Sequence, residues 1–322
     1  MDLDAIALLG GAALLDYLIG DPWTWPHPVQ AMGWVISVYS RGVLAWLKSP
    51  WALRLAGVGL TLWVILGSGA IAFGLVWLGD RLHPILGMIV AMILLASCLA
   101  GRSLRDAAFD VLTPLQQGDL EAARSRLGRY VGRDTDQLSE AEILRAVLET
   151  VTENAVDGVM APLFYAILGA LIHPMAAVAL AMGYKAASTL DSMVGYRRAP
   201  YTDLGWCSAR LEDILTWFPC RLTVLTLALW SRRPRQVLQV CRRDAIADPS
   251  PNSGWSECIY AAVLGVQVGG DNIYRGVVTS KPLLGDPVRP ITPAVVRKAI
   301  ALTRRCLFLW LGCGGLVLVL LR

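Results

Sequence analysis

Four stretches of this chain run almost free of charge. A helix rises about 1.5 Å per residue, so crossing the hydrocarbon of a bilayer takes roughly 20 apolar residues. Residues 55–79 carry no charged side chain and predict one span, and residues 82–101 predict a second after an Asp80-Arg81 turn. Residues 158–184 are also uncharged but are broken by His173-Pro174, which reads either as one kinked span or as a hairpin of two short helices. Residues 306–321 predict a short final span. The stretch from about Ala5 to Gly20 is a weaker candidate, because Asp16 interrupts it.

Basic residues set the orientation. Arg41, Lys48 and Arg54 precede the first long run, Arg102 and Arg105 follow the second, and Arg232, Arg233, Arg235, Arg304 and Arg305 flank later segments. All are expected to face the cytoplasm. Residues 214–230 fit a simple crossing badly, since Arg221 near their middle would cost several kcal/mol in lipid unless paired. An interfacial or protein-buried helix is expected there.

Between the apolar runs lie two polar segments. Residues 102–153 predict cytoplasmic helices. Ser139 and Glu142 form a capping box with Leu138 and Ile143 as its staple, and Gly118-Asp119 marks an earlier helix start. Residues 231–304, rich in Pro and Gly, predict a second cytoplasmic polar segment. The whole reads as all-α: one polytopic membrane-embedded domain over residues 1–322, with about 4–6 transmembrane or re-entrant helices.

Composition agrees. Of 322 residues 55% are hydrophobic and 17% charged, where soluble proteins carry about a quarter charged; mean hydropathy is +0.52. The net charge of +4 sits around apolar runs, so it speaks for membrane orientation and lipid contact and not for nucleic acid. Cys98, Cys207, Cys220, Cys241, Cys258, Cys306 and Cys313 lie far apart and read as reduced packing residues. Asp2 and Asp4 stand where a cleaved signal peptide would carry Lys or Arg, so none is expected.

Candidate chemistry gathers at the ends of the 158–184 run. Glu149, Glu153 and Asp157, spaced i, i+4, i+8, share a helical face. Such an anionic stripe is either solvated and paired with arginines, or a magnesium and phosphate site at the membrane boundary. At the other end, Lys185, Ser188, Thr189 and Ser192 share a face with Asp191 at its edge. Lys185 reads equally as a phosphate ligand or as a lysine snorkelling to the interface. Arg210 and Asp213 read as a local pair, and His27 in Trp25-Pro26-His27-Pro28 as structural. Pro249 to Trp255 forms a rigid turn with donors suited to phosphate or amide. No phosphate loop, dinucleotide fingerprint, His-Glu-x-x-His or nucleophile elbow occurs, so nucleotide binding would need an unconventional site.

These residues closely resemble the CobD/CbiB family of cobalamin biosynthesis, adenosylcobinamide-phosphate synthase. The likeness runs in order through Gly20-Asp21-Pro22, Pro26-His27-Pro28-Val29, Arg102 to Arg105, Gly118 to Leu120, Val131 to Thr135, Glu153 to Leu163, Lys185 to Tyr196, Asp203 to Asp213 and Ser250 to Trp255. Ser188 and Ser256 depart from the usual Asn and Pro without removing a charge.

The resemblance implies a multi-pass enzyme of the bacterial inner membrane with its active site facing the cytoplasm. It would be an ATP-dependent amide ligase that joins adenosylcobyric acid to aminopropanol phosphate, with Mg2+ and with later-pathway membrane enzymes as partners. On that basis Asp157, Lys185 and Asp191 are expected to be catalytic. Glu149, Glu153, Asp157 and Asp191 would hold magnesium, and Arg102, Arg133, Asn154, Thr189, Arg210 and Asn252 would hold substrate or phosphate. Two other classes fit the pattern: a transporter of a corrinoid precursor, moving substrate without ATP turnover, and a non-catalytic membrane sensor tolerant of substitution at these positions.

Overall fold

A computed structural model describes residues 2–21, 25–196 and 198–321; Pro22 of the Gly-Asp-Pro motif lies outside them. Thirteen α-helices and one β-hairpin are formed among the described residues. The all-α expectation therefore holds apart from that hairpin. The chain packs as two compact units, residues 1–100, 157–216 and 309–322 in one and residues 101–156 and 217–308 in the other.

The first unit contains α1 (Asp2–Leu18), α2 (Pro28–Trp46), α3 (Pro50–Leu82), α4 (Pro84–Ala96), α8 (Ala161–Ala170) and α9 (Pro174–Val194). It also holds the start of α10 (Trp206–Trp230) and the end of α13 (Pro293–Leu320). The three histidines of the chain do the same job at three helix starts. His27, His83 and His173 each precede a proline, and each accepts the backbone N–H two residues on at Nδ1, at 3.2 Å. Proline supplies the helical φ at the first position and the imidazole satisfies an orphan N–H. His27 is thus structural, and its Nε2 also meets Asp21 Oδ1 at 3.1 Å.

At His173 this device resolves the 158–184 run into a hairpin of α8 and α9. The hairpin closes tightly: a Cβ on Gly169 would stand 2.4 Å from Ala176 O. Burial of Ala166, Ala170, Ala177, Val178 and Ala181 forms the core against α3 and α4.

Among the described residues two helices, α3 and α13, are long and apolar enough to cross a membrane, and α4 with α5 (Gly101–Gln116), taken as one broken span, would add a third. The expected span over 82–101 is thus a 13-residue helix, followed in the chain by a polar one. Along α3, Leu55, Leu62, Leu66 and Phe73 share one exposed face, as suits a face bathed in hydrocarbon.

The second unit contains α5, α6 (Leu120–Leu127), α7 (Glu140–Ala155), α11 (Pro234–Asp244) and α12 (Ser253–Leu264), with the adjoining parts of α10 and α13. Both expected starts are present. Asp119 caps α6 by accepting from Ala122 N at 2.9 Å, and Ser139 N donates to Glu142 Oε2 at 2.7 Å in the capping box of α7.

The segment read as a Pro- and Gly-rich stretch is more ordered than its composition suggested. It includes β1 (Val268–Tyr274) and β2 (Val277–Leu284), paired antiparallel. Arg275 and Gly276 turn the hairpin with φ of 53° and 77°, the left-handed pair that a two-residue turn requires. Asp134 fixes this turn, accepting from Arg275 N at 3.0 Å and Gly276 N at 2.7 Å.

Candidate functional site

In the second unit the hairpin and two helices bring ionisable side chains together. Glu149 and Glu153 lie one turn apart on α7, Glu257 comes from α12, Lys281 from β2, and Asp248 from the turn before α12. Glu149 is buried, and its oxygens are taken. Arg133 Nη2 donates to Oε2 at 2.5 Å, Gly269 N donates to Oε1 at 2.9 Å, and Arg145 Nη1 lies 3.4 Å from Oε1. Arg133 is buried as well and spends its other terminal nitrogen on Asn272 Oδ1 at 2.6 Å. Expected as a magnesium ligand and a phosphate ligand, Glu149 and Arg133 instead neutralise each other and pin the hairpin to α7. Three of its roughly four acceptor sites are filled and its charge is met by Arg133, which leaves it a poor partner for a cation.

Glu153 is different. It is half-buried and accepts no hydrogen bond among the described residues. Burial raises its carboxyl above the ordinary range, Asp248 and Glu149 add to the rise, and Lys281 and Arg133 oppose it. Glu257 is 1% exposed, with Lys281 Nζ 3.5 Å from its Oε1. Its carboxyl is pushed up to about 8, by burial first and then by Glu153, Glu149 and Asp248, against the pull of Lys281. Burial alone would lower Lys281, but the same carboxylates outweigh it and hold the ammonium above its usual range. With Glu149 neutralised, Glu153, Asp248 and Glu257 face Lys281. Three carboxyl groups thus share one ammonium, a crowding that favours the protonated forms of the buried ones.

Close by, Arg221 resolves the difficulty its sequence position posed. Its guanidinium lies 5.3 Å from the Trp217 ring centroid and 4.6 Å from that of Trp255, and it donates to Pro251 O at 2.8 Å. Asn252 Oδ1 accepts from it at 3.4 Å. Asn252, expected to orient substrate, is buried at the start of α12 and engaged in holding this arginine.

Where the chain passes into the first unit it forms a π turn at Val156–Met160. Asp157 thus lies on a wider spiral than α7 and not on its regular continuation, a distortion common at functional sites. Asp157 and Glu212 lie within electrostatic reach of Tyr184, and Asp191 within reach of Glu212. Tyr184 Oη meets Thr216 Oγ1 at 2.7 Å, Thr216 donates on to Glu212, and the Tyr165 ring stacks on Tyr184 at 5.1 Å. Asp191 folds back over the end of α9, so that a Cβ on Gly195 would stand 2.0 Å from its Oδ1.

The Lys185 ammonium, half-buried on α9, has no hydrogen-bond or ion-pair partner among the described residues. Arg210 is exposed, Thr189 donates to Lys185 O at 2.7 Å, and Asn154 is exposed and donates to Thr150 O at 2.9 Å. Arg102 is paired with Asp106 at 2.5 Å.

The CobD/Cbib protein family model matches residues 9–303. The chain belongs to the CobD/CbiB family. Among relatives, the cobalamin biosynthesis protein CobD of Synechocystis sp. is 54% identical over 318 residues, covering 99% of this chain and 93% of its own. The CobD of Photorhabdus laumondii subsp. laumondii is 44% identical over 284 residues, 87% of each chain. The cobalamin biosynthesis protein CbiB of Salmonella typhimurium is 41% identical over 295 residues, 90% of each. No solved structure matches the chain.

Reading the sequence missed Glu257, Lys281 and Asp248. One signal was present: Glu257 is the only charge in the helix Ser253–Leu264, and a lone carboxylate on an apolar helix calls for a partner. Lys281 carried no such mark, because a lysine in a polar strand is ordinarily solvated. Among the described residues no three His, Cys, Asp or Glu side chains are placed to hold a metal by themselves. Magnesium differs from such sites in using one or two carboxylates with substrate phosphates. Glu153, with uncommitted oxygens, fits that role better than Glu149, three of whose acceptor sites are filled.

Proposed function

We propose that this CobD/CbiB-family protein acts in cobalamin biosynthesis as an ATP-dependent amide ligase. It would join adenosylcobyric acid to (R)-1-aminopropan-2-yl phosphate and release adenosylcobinamide phosphate. The observation that carries the reading is Glu153, a half-buried carboxyl group without a hydrogen bond among the described residues, set between Asp248 and Glu257 beside Lys281. Burying charge without a partner is costly, and groups kept so are poised for a ligand.

The chemistry balances in two steps. The corrinoid carboxylate attacks the γ-phosphorus of ATP, forming an acyl phosphate and releasing ADP. The amine then attacks the acyl carbon, phosphate departs, and the amine proton passes to a base. Magnesium, when bound, would neutralise the crowded phosphates. Glu153 is the carboxylate in the second unit that fits it, and Asp157 and Asp191 are the candidates in the first.

Lys281, held protonated by its neighbours, suits a phosphate oxygen, and the unpaired Lys185 suits the same task in the first unit. Glu257, whose carboxyl is pushed up to about 8, suits the amine proton when ionised. A multi-pass placement with these groups facing the cytoplasm accords with the basic residues beside the spans.

The test is the purified full chain in detergent with ATP, magnesium, adenosylcobyric acid and the amino alcohol phosphate. Stoichiometric ADP and adenosylcobinamide phosphate are expected, with activity lost in Asp157→Ala and Asp191→Ala. Absence of product, or corrinoid flux into vesicles without ATP turnover, would overturn the reading.

A further inference from the structure

The turn between α10 and α11 borders a cavity of about 100 Å³ that the ligase reading does not use. Its polar lining comprises Ser231, Arg233, Gln236, Asp286 and Arg289. Arg233 and Arg289 have no carboxylate partner among the described residues. The carboxylate of the lining, Asp286, is already paired with Arg243 at 2.8 Å, so the lining keeps a positive charge.

Helix α11 starts at this wall. Arg233 is its N-cap, Pro234 follows, and no side chain caps the helix start; its leading amides add the positive end of a helix dipole. Ser231 Oγ accepts from Arg233 N at 3.1 Å and sets the turn.

Guanidinium forks match the oxygens of a phosphate two at a time. The cavity has room for one such group, a liquid water taking about 30 Å³. Its neighbourhood is also near the membrane surface. Trp230, adjoining Ser231, lies under the Arg305 guanidinium at 5.8 Å, and Arg305 immediately precedes the uncharged run 306–321 of α13. Tryptophan and arginine at the foot of a span mark the headgroup level.

We propose that this cavity binds a phosphate group, carried either by an anionic lipid headgroup or by a soluble phosphate compound. The ligand is held by Arg233, Arg289, the Gln236 amide and the start of α11.

The experiment uses the full chain in detergent, with phosphatidylglycerol in mixed micelles, phosphatidylcholine as the neutral control, and inorganic phosphate. Binding is read by native mass spectrometry and by the shift in melting temperature. Phosphatidylglycerol or inorganic phosphate should bind the wild type. The same probe should bind Arg233→Ala/Arg289→Ala at least tenfold more weakly and Arg235→Ala, outside the lining, unchanged. Gln236→Glu places a carboxylate in the lining while keeping both arginines, and should weaken binding to the same degree, which guards against misfolding of the double variant. Binding of phosphatidylglycerol that inorganic phosphate fails to displace assigns the lipid; binding of inorganic phosphate assigns a soluble ligand. Wild-type protein that binds neither, or Gln236→Glu protein that binds like wild type, overturns the proposal.

Discussion

Arg133 and Glu149 form a buried ion pair, Nη2 to Oε2 at 2.5 Å, that joins the loop before α7 to the hairpin through Asn272 and Gly269. Removing one partner strands a buried charge, which costs about 3–5 kcal/mol. Arg133→Ala and Glu149→Ala should each lower the melting temperature sharply, while Arg133→Met/Glu149→Met loses less than either. A melting curve for Glu149→Ala like that of the wild type would contradict the structural role given to this carboxylate.

Glu153→Gln should behave in the opposite way. It removes a charge but breaks no hydrogen bond, so stability is expected to hold or rise. Turnover should fall by roughly 10²-fold or more, the usual loss when a charged group that stabilises a transition state is removed. Unfolding curves and ADP release measured on one preparation separate the two effects.

The raised carboxyl of Glu257 gives a pH dependence with a definite sign. Its ordinary value is 4.5 and its folded value about 8, so between these the folded state holds a proton that the unfolded state has released. Stability then falls as pH rises from about 5 to 8. Glu257→Gln should flatten that slope. An unchanged slope in the variant would show that the burial of Glu257 is not what sets it.

Arg221 between Trp217 and Trp255 predicts a graded series. Each ring contact contributes about 0.5–1 kcal/mol when partly exposed, and lysine keeps the charge but loses the planar fork. Arg221→Lys should therefore destabilise by about 1 kcal/mol and Arg221→Ala by more, read from denaturant midpoints. Equal effects would point to charge alone.

Gly195→Ala tests Asp191 without replacing it. A Cβ there would stand 2.0 Å from Asp191 Oδ1 and 2.6 Å from its backbone oxygen, so the carboxylate must move. Ligase activity should drop while Asp191 remains present. Full activity in this variant would show that the position of that side chain does not matter.

Much of this protein could be read along the chain, because it follows from local rules. Uncharged length marked α3 and the end of α13, a capping box placed the start of α7, and Asp119 placed the start of α6. His173-Pro174 marked a break, and the motifs from Gly20 to Trp255 carried the family. What depends on partners far away in sequence was out of reach. Glu149 and Glu153 look alike as i, i+4 carboxylates on one face. Only folding gives Arg133 and the Gly269 amide to the first and leaves the second bare. Lys281 and Glu257 stand 24 residues apart, and the hairpin that brings the lysine back onto α12 depends on a left-handed turn at Arg275-Gly276, stabilised by Asp134 from another segment. Charge spacing states what a helix face offers, whereas the free energy of a buried charge is decided by what the rest of the chain places opposite it.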